Sequence, residues 1–137
     1  MELHSEANNR RKQLDAVLGS ADLFWVEFER AQNGVHFVRQ QFESAMQPGS
    51  ESGEQLAQAQ QQLHRVQAEH IPNCSSLVLQ AREYGSQLCE LLTPDEDHFV
   101  KQHLIMLDTH WNAVLNEFSR LDKNLLQAVY RVKLLHI

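Results

Sequence analysis

Eight histidines and two cysteines are the residues of this chain with chemistry beyond packing. The histidines are His4, His36, His64, His70, His98, His103, His110 and His136. Two imidazoles sharing a metal ion from one helix face stand three or four residues apart. The nearest pairs here, His98–His103, His64–His70 and His103–His110, are spaced 5, 6 and 7, which argues against a metal centre. Cys74 and Cys89 fall on one predicted helix, about 22 Å apart at ~1.5 Å rise per residue, too far for a disulfide. Two unpaired thiols fit a reducing, cytosolic compartment. Cys89, mid-helix, lacks the helix N-terminus that would lower a thiol pKa. Asp95, Glu96 and Asp97 could be read as catalytic carboxylates, but helix capping accounts for them. The stretch GSESG is too short for a phosphate loop and follows no strand, and Ser50 and Ser52 are exposed-loop serines open to phosphorylation. No catalytic, cofactor-binding or metal-binding residue is expected, and no cofactor.

The elements carrying these residues are long. From Val100 to Leu135 apolar residues fall at Val100, Leu104, Leu107, Trp111, Val114, Phe118, Leu121, Leu125, Ala128, Val132 and Leu135, in alternating steps of 4 and 3. A period of about 3.5 is the seam of a helix packed on other helices along its length. An earlier pattern, from about Ser5 to Met46, has the seam Leu14, Val17, Ala21, Phe24, Phe28, Ala31, Val35, Val38, Phe42, Ala45. Gly19 and Gly34 lie inside it, and each costs about 1 kcal/mol against alanine in a helix. The helix is predicted to run through both, with Gly19 the favoured point for a bend. Leu18, Trp25 and Phe37 flank this seam and widen it.

Residues 46–53, MQPGSESG, read as a surface loop. Ser52 and Gln55 then fit a capping box, with Ser52 as N-cap. The middle pattern, from Gly53 to Leu92, has the seam Leu56, Ala59, Leu63, Val66, His70, Cys74, Leu77, Ala81, Tyr84, Leu88, Leu91. Its alternation fails once, at Val66–His70–Cys74. Two consecutive steps of 4 form a stutter, which relaxes a left-handed supercoil. Pro72 sits within it and crowds the carbonyl of Ala68, so a kink is predicted near His70–Pro72, with a complete break as the alternative. His70, on the seam, reads as a polar register device. Thr93 as N-cap, Pro94 at the first helical position and Glu96 closing a capping box start the last helix, and Asp95, Glu96 and Asp97 suit the positive end of its dipole. So short a turn makes the second and third helices antiparallel. The expected fold is therefore all-α, an antiparallel up–down–up three-helix bundle with left-handed coiled-coil packing. Its core is expected at Phe24, Phe28, Val35, Val38, Phe42, Leu63, Leu77, Leu88, Leu104, Leu107, Trp111, Val114, Phe118, Leu121 and Leu125. Phe37, Phe99, Ile105, Met106, Leu115 and Leu126 lie beside the seams, and most are expected to complete the core. Any left exposed together would form a patch suited to a partner helix or a second copy.

Over roughly residues 19–130 the chain resembles the spectrin repeat. LTPDEDHFVKQHLIMLDTHWNAVLNEFSRLDKNLLQA looks like that family's third helix, with Trp111, Val114 and Leu125 where its pattern wants them. QLHRVQAEHIPNCSSLVLQAREYGSQLCELL resembles the second, with His64, Leu77, Val78, Gly85 and Leu88 at familiar spacings, and FWVEF looks like the first-helix start of nesprin-type repeats. Two features depart from the pattern: Val38 stands where the first helix usually has tryptophan, and Pro72 is unusual in the second. The resemblance implies one repeat with helices at about 19–46, 53–92 and 94–130. KQLDAV (12–17) weakly echoes KNLLQA (123–128). Residues 1–18 then read as a linker helix from a preceding repeat and 131–137 as an extension toward a following one. A single bundle of three long helices is the alternative.

A net charge of −6 and a pI near 5.7 argue against nucleic acid as the main partner. Arg10-Arg11-Lys12 is the only basic run and reads as a solvated helix face. No apolar run reaches the ~18 residues of a membrane span, and the first residues lack the apolar core of a secretion signal. The resemblance implies a non-catalytic rod or spacer module of a large, actin-associated cytoskeletal or nuclear-envelope linker. It would be cytoplasmic, at the cytoskeleton or the cytoplasmic face of the nuclear envelope. Its partners would be adjacent repeats, cytoskeletal or scaffold proteins, or a second copy, with no small-molecule substrate. The alternative is a regulatory repeat of a Rho-family guanine nucleotide exchange factor.

Overall fold

In a computed structural model the described residues are 2–45 and 53–135. Of the loop read over residues 46–53, all but Gly53 lie outside them, the Ser52 cap included, as do residue 1 and the last two residues; Gly53 is helical. The described residues are helical but for Leu92 and Thr93, and no strand occurs among them. Helix α1 spans Glu2–Ala45, α2 Gly53–Arg65, a π-helical turn Val66–His70, α3 Ile71–Leu91 and α4 Pro94–Leu135. α1 runs unbroken through Gly19 and Gly34; Gly34 lies within the buried span from Phe24 to Phe42, whose burial outweighs its unfavourable propensity.

The chain packs as two compact units, each taking a piece of every long helix. Unit 1 comprises Met1–Gln32 and Leu77–Asp108. Its buried side chains are Phe24, Phe28, Ala31, Val78, Ala81, Leu88, Val100 and Leu107, and Gly85 is buried among them. A Cβ on Gly85 would lie 2.7 Å from Leu104 Cδ1 and 3.1 Å from Phe24 Cε2. The missing side chain is what lets Leu104 and Phe24 pack onto the α3 backbone. Unit 2 comprises Asn33–Ser76 and Thr109–Ile137. Val35, Val38, Phe42, Ala59, Leu63, Val66, Cys74, Trp111, Val114, Phe118 and Leu125 are its buried side chains.

Three expected core residues are half-buried: Leu77, Leu104 and Leu121. Leu104 covers Gly85 from the edge of the stripe, and at 100° per residue Leu121 also falls at the edge of the stripe through Phe118 and Leu125. Leu77 is displaced by a change of register. Past the π-turn the buried positions are Cys74, Val78, Ala81, Gly85 and Leu88. From Val66 through His70 and Cys74 to Val78 there are thus three consecutive steps of 4, where two were read. Twelve residues make three turns here, against about 11 in an α-helix. The surplus residue is the one a π-turn inserts, and it turns Val78 and Gly85 inward where Leu77 and Tyr84 were expected.

The π-turn also accounts for the chain's tolerance of proline. Ile71 N–H donates to the Val66 carbonyl, five residues back. Pro72 follows directly, at a point where the ordinary i to i−4 bonding is already interrupted by the wider turn. Helical structure continues across the stutter without a break.

At the start of α4, Glu96 N–H donates to Thr93 Oγ1 and Thr93 N–H donates to Glu96 Oε2, both at 3.4 Å. Glu96 and Asp97 N–H groups also reach the Thr93 carbonyl, at 3.0 and 2.9 Å. The acidic triplet is thereby occupied at its centre by capping, and Asp97 binds Lys101 Nζ at 3.1 Å.

Candidate functional site

Five of the six residues beside the seams do not complete the core. Phe37, Phe99, Ile105, Met106 and Leu126 are exposed, and Leu115 is half-buried. The expectation that most would be inside is therefore corrected. The cause is the width of the buried stripe, which is filled by the seam positions themselves.

The most developed exposed group lies in unit 1, on α1 and α4. Phe24, Phe28 and Ala31 point α1 inward, which leaves Trp25, one residue on from Phe24, on the flank toward α4. Trp25 is 38% exposed and Phe99 58%. Their rings meet edge to face with centroids 5.9 Å apart. His103, one turn after Phe99, is half-buried against both and against Phe28. Its ring stands 5.1 Å from Trp25, 5.5 Å from Phe28 and 4.3 Å from Phe99. The first two are edge to face and the Phe99 pair is tilted; aromatic pairs of this kind each add about 0.5–1.5 kcal/mol beyond area burial. His103 Nδ1 lies 2.8 Å from the Phe99 carbonyl oxygen. A carbonyl can only accept, so Nδ1 carries the proton and the ring is held in place. The result is an aromatic surface of Trp25, Phe99 and His103 on a buried base of Phe24 and Phe28. Its chemistry is that of contact: ring faces and edges offer apolar area and bind cations.

The opposite flank of α4 in unit 1 is polar. Arg82 Nε donates to Asp108 Oδ1 at 2.7 Å, and its Nη2 donates to the same oxygen. Cys89 is half-buried on α3; burial, then the Asp97 charge, raises its thiol pKa against the opposing pull of Lys101. A thiol shifted upward is a poor nucleophile at neutral pH.

Unit 2 has a different feature beside its π-turn. Gln41, Gln58, Gln61, Gln62, Arg65, Val66 and His70 line an open groove of ≈ 290 Å³. Gln62 Nε2 donates to the Gln41 carbonyl at 3.4 Å. The half-buried His70 ring stands edge to face on exposed Phe37, with centroids 5.0 Å apart. π-turns occur often at functional sites, but this groove presents mostly amides. Cys74, buried in the same unit, has its thiol pKa pushed up by burial from 9.0 to about 11. It is a packed side chain and remains a thiol at neutral pH.

Among the described residues no group of three or more His, Cys, Asp or Glu side chains is placed to hold a metal ion. No described helix is long and apolar enough to cross a membrane. The sequence singled out the buried aromatics and the caps, yet it ranked Trp25 and Phe99 as flanking core. Their spacing put them beside the seam, and only burial could tell a filled flank from an open one. The chain matches no protein-family model, no curated protein and no solved structure.

Proposed function

We propose that this chain is a non-catalytic structural and protein-interaction module, a spectrin-like repeat serving as rod and docking element in a large cytoskeletal or nuclear-envelope linker. In this reading the three long helices run up, down and up with left-handed packing. Two antiparallel pairings within unit 1 support it, Arg82 with Asp108 and Gly85 with Leu104, on either side of the Leu92–Thr93 turn. Trp25 beside Phe99 and Phe28 beside His103 support a parallel first and third helix.

The observation that carries the reading is the buried 3/4 stripe on very long helices. α1 has 44 residues and α4 has 42, each about 65 Å long at 1.5 Å per residue. The stripe is buried from Phe24 to Phe42 on α1 and from Val100 to Leu125 on α4, and helices held together over such a span resist extension cooperatively and offer long flanks to partners. Residues 5–16 are helical and each of them is exposed, as a linker helix from a preceding repeat would be. The test is mechanical. Stretched by its two ends in an optical trap, the chain is expected to unfold in discrete cooperative steps and refold on relaxation. Gradual, featureless extension at low force would remove the rod reading.

A further inference from the structure

We infer that the Trp25–Phe99 face of unit 1 docks a basic amphipathic helix, one whose apolar stripe is flanked by lysine or arginine. This rests on the interaction-module reading and specifies its partner. The face is built from two exposed stripes. On α1, Leu18, Asp22, Trp25 and Glu29 follow one another at steps of 4, 3 and 4 and are all exposed. On α4, Asp95, Phe99, Gln102 and Met106 do the same. The Trp25–Phe99 ring contact brings the two stripes side by side. Along them apolar residues alternate with the carboxylates of Asp22, Glu29 and Asp95, and neither stripe carries a lysine or arginine.

The neighbouring cations are already engaged. Arg30 Nη1 binds Glu27 at 3.3 Å and Lys101 Nζ binds Asp97 at 3.1 Å. The face is therefore an apolar strip with the unpaired carboxylates of Asp22 and Glu29 on the α1 side and Asp95, which also faces the positive end of its own helix, on the α4 side. An occupant must cover the rings and bring positive charge to Asp22, Glu29 and Asp95, and a helix with leucine-type residues at i, i+3, i+4 and basic residues beside them does both. Its cations also gain by lying over Trp25, the best ring for a cation–π contact. A second copy would set this acidic face against its like, and a membrane surface is itself anionic. Both meet repulsion where the basic helix meets attraction.

The probe is a synthetic amphipathic helix of leucine and lysine, compared with its leucine–glutamate counterpart, with amide and indole shifts followed by NMR. The lysine peptide is expected to bind, shifting Trp25, Phe99 and His103 most, and to weaken as salt rises. The Asp22→Lys, Glu29→Lys double variant, in which only exposed side chains change, should lower its affinity about tenfold or more. Phe99→Ser, likewise at an exposed position, should do so without charge change. Equal binding of both peptides, or binding unaffected by the double variant, overturns the inference. So do concentration-dependent shifts at these residues without peptide, which would mark self-association, and binding to anionic vesicles through this face. Binding of the lysine peptide at another face discards this surface while leaving the interaction module standing, and cooperative unfolding in the trap reports on the module separately.

Discussion

The two tryptophans are the same residue in opposite employment. Trp111, in unit 2, is 5% exposed, with Val114 and Phe118 buried on the same face of α4. Trp25, in unit 1, is 38% exposed and lies against other rings at the surface. The difference follows from position on the helix. Trp111 is on a seam, one turn from both Leu107 and Val114. Trp25 is one residue past the seam position Phe24, about 100° round the helix. Unit 2 thus uses its tryptophan to fill a core, and unit 1 uses its own to build a surface. The units differ again in what relieves crowding. Unit 2 inserts a residue as a π-turn beside Pro72, whereas unit 1 omits a side chain at Gly85.

The largest expected effect tests the buried member of the pair. Trp111→Ala should cost about 3–5 kcal/mol of stability in chemical denaturation, as core aromatic truncations do. A loss below ~1 kcal/mol would contradict its place as the filler of unit 2, and a comparable loss for Trp25→Ala would erase the contrast between the units.

Next in size is a pH effect confined to unit 2. The Cys74 thiol is held protonated by burial, with its pKa raised from 9.0 to about 11. The folded state binds this proton more tightly than the unfolded chain. Its contribution is therefore complete below pH 9 and is lost as pH rises toward 11. Two pKa units correspond to about 2–3 kcal/mol. The difference in stability between the chain and its Cys74→Val variant should shrink by that order across the window, and a difference independent of pH would place the thiol in contact with water.

The smallest effect sets the two glycines apart. Gly85→Val forces atoms into Leu104 and Phe24 and should cost about 1–3 kcal/mol. A Cβ at Gly19 would meet nothing within 4 Å, so Gly19→Ala should gain up to about 1 kcal/mol through helix propensity. Thermal melts of the two variants should move in opposite directions; a shift in the same direction would mean that Gly85 is not a packing glycine.

Much of the architecture was readable in the sequence because it depends on period. Phe24, Phe28, Val35, Val38, Phe42, Leu107, Trp111, Val114, Phe118 and Leu125 are buried where the 3/4 alternation puts them. Thr93 and Glu96 exchange bonds as their spacing implies, since capping is local. The middle helix was harder. The pattern shows a stutter and a proline but cannot count residues per turn, so it chose Leu77 and Tyr84 over Val78 and Gly85. The exposed aromatic face was hidden for a related reason. A phenylalanine one position off a seam has the same identity whether a neighbour covers it or water does.

By itself the sequence determined which residues form helices, where α4 begins and which stripe of α1 and α4 turns inward. These follow from local bonds and from a repeat that reads the same at every turn. Only the tertiary structure decided that the chain packs as two units, that past the π-turn Val78 and Gly85 join Cys74, Ala81 and Leu88 in place of Leu77 and Tyr84, and that Trp25, Phe99 and His103 stand together at the surface. Each depends on how much width a neighbouring helix covers, and that width is a property of the packed pair rather than of either sequence.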